Sequence, residues 1–222
     1  MYAYYILRFS KGEGIPMIKR LYIKNPMKYG NDYDNTESYQ EDIYKDPINL
    51  RDDMRLLWEQ HVYWTRMTII SIANSLPDED ATTKRLLRNA KDFENAFRPF
   101  YGSKVAREFG RLITDHLVIA AELVKAAKAG NKTAAANAEK RWYANADEIV
   151  SFLAHINPFW NKEHMKEMWY KHLALTKAEA VAILAGNYVK SISLFDQIEE
   201  EALMMADDFA EGIVQQFPPR SA

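Results

Sequence analysis

RLLRNAKDF, residues 85–93, returns as RWYANADEI at residues 141–149, an offset of 56 held along the segment. Each copy runs on to a proline beside aromatic residues, RPFY at 98–101 and NPFW at 157–160. A third version, LMMADDF at 203–209, lies 60 residues beyond the second and ends at FPP, 217–219. A unit of helical period that recurs at this distance and is punctuated by proline each time reads as one helical hairpin written three times.

Working outward, the segment before each copy carries a histidine in the middle of its apolar face: His61, His116 and His172, spaced by 55 and 56 residues. At about 100° per residue, Met54, Leu57, Trp58, Thr65, Thr68, Ile72 and Leu76 share the direction of His61. Val105, Phe109, Leu112, Ile113, Ala120, Leu123 and Ala127 share that of His116. Met165, Met168, Trp169, Thr176, Glu179 and Ile183 share that of His172. Pro77, Gly130-Asn131 and Gly186-Asn187 stop these helices, and Ser103 and Asn161 are placed to cap the second and third. The expected fold is therefore all-α: a helical bundle of three repeated αα-hairpins, at about 50–101, 103–158 and 161–217, within residues 49–222.

Residues 1–48 carry no helical period. YAYYILRF (2–9), Gly12, Gly14 and MIKRLYIK (17–24) predict a short Tyr-rich β-hairpin arm, since aromatic and branched residues flank a glycine turn. Such a ribbon is marginal alone and needs a body or another subunit to pack on. Up to residue 30 the arm holds Arg8, Lys11, Lys19, Arg20, Lys24 and Lys28 against Glu13 alone, and residues 31–53 are acidic. This dipolar segment predicts a homo-oligomer joined through the arm.

The chain has 222 residues, 48% of them apolar and 13% aromatic, enough for a sizeable core, with a formal net charge of −2 and no cysteine. The near-neutral balance argues against nucleic acid as a partner. The missing thiols exclude disulfides, zinc ribbons and cysteine catalysis. No long apolar run predicts a membrane span or a leader, so a cytoplasmic protein is expected. The phosphate loops G-x-x-x-x-G-K-[ST] and G-x-G-x-x-G, and the G-x-S-x-G elbow, are all missing from the sequence, and no catalytic residue is assigned.

The chemistry on offer is the histidine layer. Counting heights along antiparallel helices places Asn89, Asn145 and Met205 between the three imidazoles. Three neutral imidazoles converging in a bundle can ligate a divalent transition metal, zinc or iron, each donating its second ring N–H to an amide oxygen that fixes the tautomer. Glu179, the inward carboxylate of the His172 helix, is a candidate fourth ligand, with Thr176 beside it. The spacing offers neither the Glu-x-x-His pair of carboxylate-bridged di-iron bundles nor His-Glu-x-x-His. The alternative is a structural or self-assembly protein in which the layer only sets helix register, because duplication copies a buried histidine whether or not it binds anything.

LWEQHVYWTR (57–66), RLLRN (85–89), FRPFYG (97–102), DHLVIAAELVKAAKAG (115–130), RWYANADEI (141–149) and HLALTKAEA (172–180) resemble uncharacterised helical-bundle proteins of spore-forming Firmicutes. The resemblance spans about residues 50–219. It implies a helical bundle and an association with spores. Some of those proteins carry the label acetylglutamate kinase, an activity that calls for phosphate loops and an α/β pattern not found in this sequence. The reading of the residues is a non-catalytic metal-binding or sensing bundle.

Overall fold

The computed structural model describes residues 47–219, and every element in that range is helical. The five helices are α1 (Pro47–Asn74), α2 (Glu79–Lys128), α3 (Lys132–Ile156), α4 (Lys162–Leu184) and α5 (Tyr188–Gln216). The β-hairpin arm expected before them lies outside the described residues.

The turns form where the side chains demand them. Gly130 (φ 68°) and Gly186 (φ 69°) adopt the left-handed conformation that a Cβ penalises, directly after α2 and α4. Asn131, Asn161 and Asn187 then accept hydrogen bonds from the backbone N–H groups of Ala134, His164 and Lys190 at 3.0, 2.9 and 3.1 Å, supplying acceptors to donors that a helix start leaves unpaired. The expected boundary near residue 102 takes a different form. Pro99 sits inside α2, and Gly102 alone is non-helical (φ 75°, ψ 164°), so the chain kinks into its next segment without a loop. The 50-residue α2 thus acts as two segments, 79–101 and 103–128. Leu76 is another difference: it lies past the end of α1 and is 39% exposed, because the helix stops at Asn74 before that residue can turn inward.

The segments pair as antiparallel neighbours. Asn89 Nδ2 donates to Leu57 O at 3.0 Å, joining 79–101 to α1, and Asn145 Nδ2 donates to Leu112 O at 3.1 Å, joining α3 to 103–128. α5 packs on α4 and on α1, α3 packs on α4, and α1 meets α4, so the helices close around one interior.

That interior changes character along its length. One part is aromatic: Phe97 stacks on Phe109 at 4.1 Å between ring centres, and Trp58, Phe93, Trp160, Trp169 and Phe209 join the same cluster. Asn157, fully buried, ties its far end, donating to Tyr101 Oη and Gly212 O and accepting from Phe159 N, each at 2.9 Å. The other part is a smaller aliphatic cluster of Ile69, Ile72, Val124, Ala180 and Ile183. Among the described residues, no helix is long and apolar enough to cross a membrane.

Candidate metal centre

His61, His116 and His172 meet at the boundary between those two parts. Each is about 1% exposed, their ring centres lie 5.6 to 6.0 Å apart, and one ligating nitrogen from each can be chosen so that all three lie within 4.8 Å of one another. The helical period explains the meeting. Trp58 and Trp169, three residues before His61 and His172, pack against the layer from the aromatic side, with Trp58 5.4 Å from His61 and Trp169 5.3 Å from His116. The residues one turn and more beyond the histidines, Thr65, Thr68, Ala120, Thr176 and Ala180, line a cavity of about 140 Å³.

The imidazoles are neutral donors. Burial pushes His61 down to about 4, against the opposing effect of its hydrogen bond to Asn89 Oδ1, and pushes His172 down to about 3, helped by the nearby His61. Burial also holds His116 well below its ordinary range, with His61 and His172 adding to the effect and the Asn145 amide opposing it. A metal ligand must be unprotonated, so none of the three has a proton to shed at neutral pH.

Their second ring nitrogens differ. His61 Nδ1 lies 2.9 Å from Asn89 Oδ1, and since the carboxamide oxygen can only accept, Nδ1 carries the proton and the Nε2 lone pair is free. Asn89 holds its orientation through its other bond, to Leu57 O. On α3 Asn145 makes a similar bond to Leu112 O, yet His116 Nδ1 and Asn145 Oδ1 both remain without a hydrogen-bond partner: the amide oxygen is near enough to favour an imidazolium but outside bonding geometry. His172 Nδ1, Thr176 Oγ1 and Thr68 Oγ1 are also buried without partners in the protein. Other buried polar atoms lack partners too, among them the indole N–H groups of Trp58, Trp142 and Trp169, so those at the layer point to a ligand only together with the convergence of the imidazoles and the cavity beside them.

A tetrahedral metal at about 2.1 Å from each imidazole sets its nitrogens about 3.4 Å apart. The three chosen nitrogens lie within 4.8 Å of one another, so a bound metal would require them to draw closer by up to about 1.4 Å. His61, His116 and His172 would be the residues to hold such a metal, and a set of three neutral imidazoles would suit zinc or ferrous iron.

The remaining expected residues fall elsewhere. Glu179 does not join the histidines: its carboxylate is bound by Arg66, whose Nη1 also donates to Ser191 O at 3.3 Å. Burial raises Glu179 to about 7, with the Arg66 guanidinium opposing without cancelling that rise. Met205 is fully buried in the aromatic cluster as apolar filling. Thr176 lines the cavity. Sequence reading alone does not find the cavity. Its signal is the alanine-rich run on either side of the Gly130 turn, from which Ala120, Ala121, Ala127 and Ala135 contribute to the wall. Arg66 as the partner of Glu179 has no such signal, since the two lie on different helices, 113 residues apart.

No protein-family model matches the chain, and neither a curated protein nor a solved structure matches it.

Proposed function

We propose that this protein is a metal-binding or sensing helical bundle that holds one divalent transition metal, zinc or iron, on His61, His116 and His172. The observation that carries the reading is the convergence of three buried imidazoles within 4.8 Å, two of them with a ring nitrogen left unpartnered. A divalent charge is costly in an apolar interior unless ligands replace its water, and three neutral nitrogens do so without adding charge of their own. The Asn89–His61 bond plays the orienting part that an outer hydrogen-bond acceptor plays at histidine-ligated metals. The role is binding rather than catalysis.

Elemental analysis of the purified protein tests this directly. The expected result is one equivalent of metal per chain, lost in the His116→Leu variant, with a melting temperature that rises when zinc or ferrous iron is restored to stripped wild-type protein. Absence of stoichiometric metal, together with no thermal shift on adding zinc, iron or copper, would sink the proposal.

A second reading has its own supporting observation. Asn89 bridges His61 Nδ1 and Leu57 O, which ties two helices at one height, and Asn145 repeats half of that arrangement. In this reading the layer sets register in three related hairpins and binds nothing. It predicts that His61→Leu, which leaves Asn89 Oδ1 buried and unpaired, is destabilising by about 1–3 kcal/mol, while His116→Leu is nearly neutral.

A further inference from the structure

Beyond the histidine layer, the cavity of about 140 Å³ has the composition of a ligand site. Its walls are largely aliphatic, with Ile69, Ile72, Val124 and Ala180 among them and Trp142 beside His116, and His116, His172, Thr68 and Thr176 are among the polar side chains that line it. All four are nine-tenths or more buried, and each has a polar atom without a partner in the protein. Both hydroxyls can donate or accept, and a neutral imidazole has one donor and one acceptor nitrogen. The charged residues lining the cavity, Glu139 and Lys177, are paired with each other and are partly exposed. The interior therefore offers hydrogen bonds and no unbalanced charge.

Size sets a second constraint. An apolar cavity of roughly 150 Å³ takes up benzene, so this one suits a body of six to eight non-hydrogen atoms, about the same size. We infer that the cavity binds a small, uncharged, largely apolar molecule with a single hydroxyl, its body on the aliphatic wall and its hydroxyl hydrogen-bonded among Thr68, His116, His172 and Thr176. A carboxylate of the same size is disfavoured, because it loses its hydration and the lining cation, Lys177, is already paired with Glu139. A hydrocarbon of the same shape leaves the polar atoms unpaired and binds less tightly. The site does not rest on the metal proposal, since hydroxyl, threonines and imidazoles suffice for it.

Phenol, benzene and benzoate are the probes, titrated calorimetrically into the full-length chain after treatment with a chelator, so that the outcome is independent of metal. Phenol is expected to bind with a Kd of about a millimolar or tighter. Benzene should bind about tenfold more weakly, and benzoate should give no heat of binding. Two cavity-filling variants, Ala180→Leu and Ala120→Val, each retaining a cooperative melt, should weaken phenol by at least about tenfold if the cavity is the site. The imidazole proton resonances of His116 and His172 should move with phenol and not with benzoate. The inference is overturned if phenol fails to bind, if benzene or benzoate binds as tightly as phenol, or if the folded filling variants bind phenol unchanged.

Discussion

On one side of the histidine layer the bundle is filled by rings; on the other the same helices carry threonine, alanine and isoleucine around a cavity. A few residues along each helix separate the two regimes, as from Trp58 to Thr65 in α1 and from Trp169 to Thr176 in α4. Rings of Trp and Phe fill the interior at one end. Alanines further along are too short to fill it, so space remains beside the imidazoles. The contrast is one of side-chain volume along the same helices.

The largest effect expected from the boundary is acid sensitivity. Each imidazole binds protons more weakly in the folded state than at the ordinary value of 6.5, with His61 at about 4 and His172 at about 3. Below pH 6.5 the unfolded chain takes up protons that the native layer refuses, so stability is full above that value and is lost as pH falls toward 4. Glu179, raised from 4.5 to about 7, acts in the opposite sense and offsets part of the loss. Urea unfolding of metal-free protein at successive pH values should show a net decline of several kcal/mol, an order-of-magnitude figure. A free energy that stays flat between pH 6.5 and 4 would mean the layer is hydrated and the boundary is not dry.

Truncation sharpens the comparison next. Phe97→Ala removes a fully buried ring that stacks on Phe109 and touches Trp160 and Phe209, and should cost about 3–5 kcal/mol. Ile72→Ala removes a side chain that already faces a cavity, and should cost nearer to about 2 kcal/mol. Equal losses in chemical denaturation would erase the distinction between the two ends.

The smallest effects come from additions, and their sign is the test. A Cβ at Gly212 would overlap the Trp160 indole, so Gly212→Ala should destabilise by about 1–3 kcal/mol. Ala120→Val adds methyl groups where space exists and should be neutral or stabilise by up to about 1 kcal/mol. Matched thermal melts of the two variants that shift in the same direction would contradict the packing contrast.

Much of the fold is legible in the sequence because its signals are local. The periods around His61, His116 and His172 give helices whose inward faces the structure largely buries, Leu76 and Ala127 being exposed exceptions, and Gly130, Gly186, Asn131, Asn161 and Asn187 mark ends through backbone conformation and capping. The pairing of Asn89 with His61 follows from their heights on antiparallel segments. Asn145 shows the limit of that logic, since an equivalent height leaves it short of a bond with His116. Glu179 shows it again: an inward direction does not choose between a histidine layer and Arg66 of a facing helix.

Most helix ends and inward faces could be read from the chain because they depend on neighbours a few positions away, and the common height of the three imidazoles could be read from their 55- and 56-residue spacing. Tertiary structure alone decided which nitrogens lack partners, which acid is claimed by Arg66 and that a cavity opens beside the layer. Those outcomes depend on how side chains from different helices pack against one another, which no local pattern sets.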